Sequence, residues 1–221
     1  MDSLLRQLPV FPDLRAFLDW AEAQGDLLRV SQPVATRHQM TAVQMRVLRA
    51  GGQALRFDQP VLPDGRVAAV PVVTNLFGTA RRTAAGLGLL PEQVADFGSF
   101  LAELRTPAPI DGLRDALSRW PMLKAALSTR PKILRRAPVQ EIVTEAPDLT
   151  SLPVQTCWPG DAGPLITWPV VLTRPHGSDA SAVGRYNAGV YRAQVLGKVN
   201  GSCAGWRIAA VRRITAVGRG W

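Results

Sequence analysis

The stretch LPVQTCWPGDAGPLITWPVVLTR, residues 152–174, contains two strand-like segments with a tight loop between them. Residues 153–157 and 166–174 show the alternation or β-branched content that is typical of strands. Residues 156–168 hold two tryptophans, two prolines and two glycines, which favour a rigid loop with close backbone approaches and aromatic walls. A flat ligand or a domain interface would use such a loop. On residue types alone, a structural turn whose tryptophans fill the core is the commoner explanation.

Further strand candidates flank this stretch. Residues 139–145 precede it and residues 189–197 follow it, with little helical signal between them. Four such segments predict a small barrel or sandwich. The basic, proline-containing stretch 130–138 marks the predicted boundary before it.

Helices and strands alternate upstream of that boundary. Asp13 can cap a helix that Gly25 ends, and Gly51-Gly52 can close a second helix. The predicted helical stripes are Leu14, Phe17, Leu18 and Ala21; Val43, Val47 and Ala50; and Val94, Phe97, Leu101 and Leu104. The remaining predicted elements are strands at residues 27–30, 54–57 and 67–74, and a helix at residues 112–120. The predicted fold class is therefore α+β, beginning with an α/β domain over residues 1–130.

The segment Asn187-Ala188-Gly189-Val190-Tyr191-Arg192 contains a second candidate site. On a strand, Val190 and Arg192 would face one way and Tyr191 the other. An arginine on an apolar strand is costly to bury unless it meets an anion or a carboxylate. The Asn187 side chain offers a neutral oxygen ligand for a hard cation. By pattern alone, an edge strand with an exposed arginine explains the same residues.

Bulk composition excludes several classes of protein. No apolar run is long enough for a membrane span, and the first residues lack a basic region before an apolar stretch, so we expect a cytoplasmic protein without a signal peptide. The net charge is +9, but residues 199–221 contribute four arginines and no acid, which leaves +5 without them. Because the other basic residues are dispersed, we expect no nucleic-acid binding. Cys157 and Cys203 form neither a disulfide framework nor a zinc pattern.

Taken in order, the segments resemble the UbiD family of decarboxylases. The similar pieces are DLRAFLDWAEAQGDLLRV, VLRAGGQALRF, NLFGTARR, PVQEIV, LPVQTCWPGDAGPLITWPVVLTR and NAGVYRAQVLGK. Pro169 departs from the family pattern, which usually has a glycine after Ile-Thr-Trp. The resemblance implies that residues 131–198 begin a split β-barrel that binds prenylated FMN, incomplete in this chain. It also implies reversible, non-oxidative decarboxylation of an aromatic or α,β-unsaturated acid, such as a polyprenyl-4-hydroxybenzoate in ubiquinone synthesis.

The resemblance also assigns roles to residues. Asn187 would be a ligand of Mn²⁺, with K⁺ as a further candidate ion. Val190, Tyr191 and Arg192 would contact the flavin, and Arg192 would be the catalytic arginine that pairs with carboxylates. A flavin prenyltransferase would supply the cofactor, full-length members would be homo-oligomers, and a prenylated substrate could bring peripheral contact with a membrane.

Residues 199–221 do not continue the family pattern. Codons for the residues from Gly201 onwards can be chosen so that the frame one base earlier encodes Ile-Met-Arg-Trp-Leu-Ala-His-Arg-Gly-Gly, the motif expected there. Its Arg-Trp would fall at Ala204 and Gly205. We therefore expect a frameshift near Lys198, an out-of-frame tail and an unstable, inactive chain that lacks the catalytic acids. Unrelated DNA after codon 198 would exclude this explanation.

Three functions remain open at this point. The first is a carboxy-lyase by family, and the second is a flavin-binding accessory module without catalysis. The third is a basic nucleic-acid-binding protein, which the dispersed charge disfavours. Flavin binding separates the first two from the third, and CO₂ release separates the enzyme from the module.

Overall fold

The computed structural model describes residues 10–106, 120, 136–145, 147–173, 187–198, 201–203, 206–208 and 214–216. The chain forms two compact units. The first joins residues up to Leu27 with Leu76–Pro131, and the second joins Leu28–Asn75 with Lys132–Trp221. Each unit is described by itself below.

Helix α1 of the first unit, Leu14–Ala23, has the predicted ends. The Asp13 carboxylate accepts a hydrogen bond from the Ala16 amide at 2.9 Å, and Gly25 follows the helix at φ +69°. Phe17 and Ala21 are buried, whereas Leu14, predicted to lie on the same apolar face, is 51% exposed. The Phe17 ring stacks on Trp20 and Phe77 and meets Phe11 edge-on. The predicted apolar face is therefore confirmed at Phe17 and Ala21 and is wrong at Leu14.

Two further helices complete the described part of this unit. Helix α2, Gln39–Arg49, belongs to the second unit. In the first unit, α3 spans Ala80–Gly86 and α4 spans Val94–Arg105, and a 3₁₀ turn at Pro91–Gln93 precedes α4. Thr79 caps α3 through its side chain. Among the α4 residues whose burial the structure describes, Phe100 is buried, and the predicted Leu101 is 50% exposed. Of the predicted helix at residues 112–120, all but Trp120 lies outside the described residues.

The second unit contains a three-stranded sheet in the order β1-β3-β5. Its strands are β1 Leu27–Val30, β3 Ala54–Phe57 and β5 Val72–Thr74, with short parallel strands β2 Val34–Ala35 and β4 Pro60–Val61 beside it. Helix α2, Gln39–Arg49, ends as predicted before Gly51 at φ +65°. The buried core is Val34, Met40, Leu55 and Phe57. A strand was predicted at residues 67–74, and only its last three residues, Val72–Thr74, form a regular strand, β5.

The later part of this unit consists of short strands and 3₁₀ turns. The strands are β6 Ile142–Thr144, β7 Leu165–Ile166, β8 Val170–Thr173, β9 Asn187–Val190, β10 Ala193–Val195, β11 Gly201–Cys203, β12 Trp206–Ile208 and β13 Ile214–Ala216. They form a sheet in the order β12-β11-β10-β7 and the pairs β8-β9 and β6-β13. Residues 153–157, predicted as a strand, contribute only an isolated bridge at Thr156. The mixture of helices and strands confirms the predicted α+β class.

Within these described residues, no helix is both long and apolar enough to cross a membrane.

Candidate functional site

A break in one antiparallel pairing marks the candidate site. Strand β8 pairs with β9 from Thr173↔Asn187 to Val170↔Val190, and the pairing resumes at Ile166↔Ala193 between β7 and β10. Three residues, 167–169, therefore lie opposite two, 191–192. This is the count of a β-bulge, a feature that bends a strand and redirects side chains, often beside active sites. The structure thus brings the two sequence motifs together at one irregular point.

Backbone contacts hold the bulge on both sides. The Tyr191 amide donates to the Pro169 carbonyl at 3.2 Å, and the Val195 amide donates to the Pro164 carbonyl at 2.9 Å. Because the Pro169 contact uses a carbonyl, proline makes it as well as the glycine expected at this position would. Arg192 lies between these two anchored segments.

The side chains at the bulge are open to solvent. Trp168 is 70% exposed, Val190 56% and Tyr191 40%. The Arg192 side chain is exposed and forms neither a hydrogen bond nor an ion pair with any residue that the structure describes. An arginine of this kind can receive a phosphate or carboxylate without first losing another partner.

The two faces of β9 differ. Val190 lies opposite Val170, on the face that also holds Leu172, and both of those residues are more than 60% exposed. The Tyr191 ring lies instead against Gly189. The prediction that the side chains of Val190 and Tyr191 face opposite sides of the strand is therefore confirmed.

The loop that begins at Thr156 is closed by one carboxylate. The Asp161 Oδ2 atom accepts from the Cys157 amide at 3.1 Å and from the Trp158 amide at 2.8 Å. Before the loop, the Thr156 carbonyl accepts from the His38 amide at 2.9 Å. Trp158 is 52% exposed, so the interpretation that both tryptophans fill the core is wrong.

The predicted metal ligand, Asn187, is the first residue of β9 and pairs with Thr173. It lies three residues before Val190. Among the residues that the structure describes, no group of three or more histidine, cysteine, aspartate or glutamate side chains could hold a metal ion. The assignment of Asn187 therefore stays a prediction.

Two residues with a clear structural role were not singled out from the sequence. Asp161 closes the tryptophan loop, and Gly189 leaves room for the Tyr191 ring. In the recognisable Asx turn the aspartate comes before the amide that it accepts from, so Asp161, which follows both amides, gives no such signal. For Gly189 the sequence does give a signal, because a glycine inside a strand pattern often marks a place where another group approaches the backbone closely.

Two family models match the chain. The 3-octaprenyl-4-hydroxybenzoate carboxy-lyase N-terminal domain matches residues 18–101, and the Rift-related domain of the same carboxy-lyase matches residues 132–217. Together they cover more than half of the 221 residues. The chain belongs to the UbiD family. The second match contains both sequence motifs and the bulge.

Solved UbiD-class structures are similar to this family member. An evolved dimeric form of HmfF from Pelotomaculum thermopropionicum, in complex with prFMN, is 26% identical with a TM-score of 0.61, over 86% of this chain and 37% of that one. Vanillic acid decarboxylase from Sedimentibacter hydroxybenzoicus is 24% identical with a TM-score of 0.64, over 87% and 36%. The apo 3,4-dihydroxybenzoic acid decarboxylase AroY of Klebsiella pneumoniae is 22% identical with a TM-score of 0.61, over 90% and 37%. The chain therefore spans a little over a third of the length of these proteins.

Proposed function

We propose that this UbiD-family chain contributes part of the prenylated-FMN site of a carboxy-lyase, which decarboxylates an aromatic or α,β-unsaturated acid without net oxidation. The observation that carries the proposal is the β-bulge, which leaves Tyr191 and Arg192 exposed between two anchored strand pairs. Its position inside the matched Rift-related region supports the assignment. HmfF, which is similar over most of this chain, binds prFMN or FMN.

The residues at the bulge fit a flavin nucleotide. Such a ligand has a flat, largely apolar ring system at one end and a phosphate at the other. Val190 and Tyr191 offer exposed apolar and aromatic surface, and Arg192 offers a guanidinium with no partner among the described residues. Pockets for cofactors combine these two kinds of group.

We also propose Asn187 as a ligand of the cation that accompanies the flavin phosphate, Mn²⁺ or K⁺. An amide oxygen is a ligand that such hard cations accept. Asn187 begins β9 and Arg192 follows its end, so both residues would lie along the same elongated cofactor.

The residues of this chain would bind and orient the reactants. When bound, prenylated FMN supplies an electron sink for the charge that remains on the substrate as CO₂ departs. Arg192 would hold an anionic group, a carboxylate or a phosphate, through paired N–H donors. Tyr191 would keep water away from one face of the flat ring system, and Val190, which faces the other way, would be a separate contact of the flavin. In this proposal residues 131–198 begin the split barrel, after an α/β domain at residues 1–130 and before the predicted out-of-frame tail at 199–221.

The proposal extends to the substrate and the partners of the enzyme. The matched relatives include decarboxylases of vanillic acid and of 3,4-dihydroxybenzoic acid, which supports an aromatic carboxylic acid. A polyprenyl-4-hydroxybenzoate of ubiquinone synthesis is the specific substrate that we propose. A flavin prenyltransferase would supply the cofactor, the assembled enzyme would be a cytoplasmic homo-oligomer, and a prenylated substrate would bring it to a membrane surface.

A flavin-binding module without catalysis is the second candidate. It is favoured by one observation: among the described residues, no carboxylate pairs with Arg192. Both candidates predict no CO₂ release by the chain as given, so the deciding assay also uses the frame-restored chain, loaded with prenylated FMN and Mn²⁺ and supplied with 4-hydroxybenzoate-type acids. CO₂ release by the frame-restored chain would favour the carboxy-lyase, and flavin binding without CO₂ release would favour the module.

The experiment that tests the proposal is a fluorescence titration of the chain with FMN. Arg192→Ala should weaken binding by roughly 10- to 100-fold, the effect of losing a charge-assisted hydrogen bond. Because Arg192 is exposed, the same substitution should change the free energy of unfolding by less than about 0.5 kcal/mol. Arg105→Ala, an exposed arginine on α4, is the control and should leave FMN affinity unchanged. Absence of saturable FMN binding by the unmodified chain would refute the proposal.

A further inference from the structure

We infer that Gly189 is a positioning residue of the proposed flavin site, and that it acts by seating the Tyr191 ring against the backbone of β9. The inference rests on the proposed function for its effect on flavin, but the contact itself is visible without ligand. A Cβ atom added at Gly189 would lie 2.6 Å from Cε2 of Tyr191, 3.2 Å from its Cζ and 3.3 Å from its hydroxyl oxygen. Real Cβ atoms do not approach other heavy atoms as closely as the first of these distances.

The geometry of a strand explains why these two residues meet. Residues two apart on a strand lie on the same face, so the side chain of Tyr191 passes over position 189. With any other residue at 189, that side chain would occupy the space that the ring now fills. The ring consequently packs against its own strand, and 40% of the Tyr191 residue stays exposed for contact with a ligand.

The backbone of Tyr191 is held separately from its ring. Its amide donates to the Pro169 carbonyl, and the neighbouring Val190 pairs with Val170. The atoms nearest to the added Cβ belong to the far part of a side chain that can rotate about χ1. Gly189→Ala should therefore turn the ring away and leave the strand pairing intact. An open glycine in a strand would show the opposite behaviour, because alanine there usually favours folding.

The first arm of the test uses the free chain and needs no flavin. The Gly189 α-proton resonances should be displaced by the ring current of Tyr191, and Tyr191→Leu should remove that displacement. Circular dichroism checks that each variant remains folded. Gly189 resonances that do not respond to Tyr191→Leu would overturn the inference, whatever the chain binds.

The second arm is a double-mutant cycle read by FMN affinity. Gly189→Ala and Tyr191→Leu should each weaken FMN binding by about two- to tenfold, the range expected for one aromatic contact. If Gly189 acts only through the ring, the double variant should be no weaker than Tyr191→Leu alone. Gly197→Ala, with no atom within 4 Å of the added Cβ, is the matched control and should bind FMN as the unmodified chain does.

The outcomes separate the two proposals. Saturable FMN binding with additive losses in the cycle would overturn the role of Gly189 and leave the proposed function standing. A chain that binds no FMN would refute the proposed function and the role of Gly189 in it, while the resonance experiment would still decide whether the contact exists.

Discussion

Asp161 shows how one carboxylate can determine the shape of a loop that carries an exposed tryptophan. Its Oδ2 atom accepts from two consecutive backbone amides, those of Cys157 and Trp158. Asp161→Ala should lower the free energy of unfolding by about 1–2 kcal/mol, because two amides lose a charged acceptor. Urea denaturation followed by circular dichroism measures the change.

The control for this loop is Asp161→Asn, which retains an acceptor oxygen. It should lose less than half of the stability that Asp161→Ala loses. Equal losses in the two variants would show that a neutral acceptor oxygen is not enough, and that the negative charge of Asp161 is needed to hold the Cys157 and Trp158 amides. An unchanged unfolding free energy in Asp161→Ala would contradict the prediction.

Asp148 makes stability depend on pH. The Thr150 hydroxyl and amide donate to its carboxylate, and Lys198 lies 3.7 Å away, so the pKa of Asp148 is lowered from its ordinary value of 3.8. A carboxyl whose pKa is lower in the folded state stabilises the fold above that ordinary value, and the contribution is lost as pH falls through the folded-state pKa. Asp148→Asn should therefore flatten the decline of stability below about pH 4.

Unfolding free energies measured in urea across the acidic range test this dependence on Asp148. Asp19→Asn, which removes a carboxylate from the exposed side of α1, is the control and should leave the slope near that of the unmodified chain. The prediction is wrong if Asp148→Asn and the unmodified chain lose stability in parallel as the pH falls.

The central strand β3 should carry much of the stability of the second unit. Leu55 is fully buried in the core with Met40 and Phe57, whereas Leu28 on the neighbouring strand β1 is 47% exposed. Leu55→Ala should cost about 2–5 kcal/mol, since it removes buried methyl groups and leaves a cavity. Leu28→Ala is the matched control and should cost less than about 1 kcal/mol. Comparable losses from the two substitutions, measured by chemical denaturation, would contradict this placement of the core.

The helices were predictable because their signals are local. Asp13 and Gly25 specify the ends of α1 within a few residues of sequence, and the glycine after α2 does the same. The buried side was harder to predict: Phe100 is buried on α4, whereas its neighbour Leu101, which the stripe predicted to be buried, is exposed. Periodicity identifies a stripe but does not fix its exact orientation.

The bulge was not predictable from the sequence. Its existence depends on the relative register of residues 165–173 and 187–195, which are separated by a long connection in the chain. The motif containing Tyr191 and Arg192 lies at the bulge, and the family resemblance predicts a function for those residues. The extra residue opposite them, which exposes their side chains, is visible only once both segments are paired.

The charge of the whole chain provides the last contrast between flavin and nucleic acid as ligands. The net charge of +9 would favour any polyanion, but the proposed site contributes one arginine, Arg192, to one phosphate or carboxylate. A protein with 6–10 phosphate contacts on DNA loses roughly 10³–10⁵ in affinity between 50 and 200 mM salt. FMN affinity should fall less than about tenfold over that range, because a single ion pair is only partly screened. Titrations at the two salt concentrations, with and without competing duplex DNA, measure this. A steep loss, or displacement of FMN by DNA at the higher salt concentration, would favour the nucleic-acid alternative.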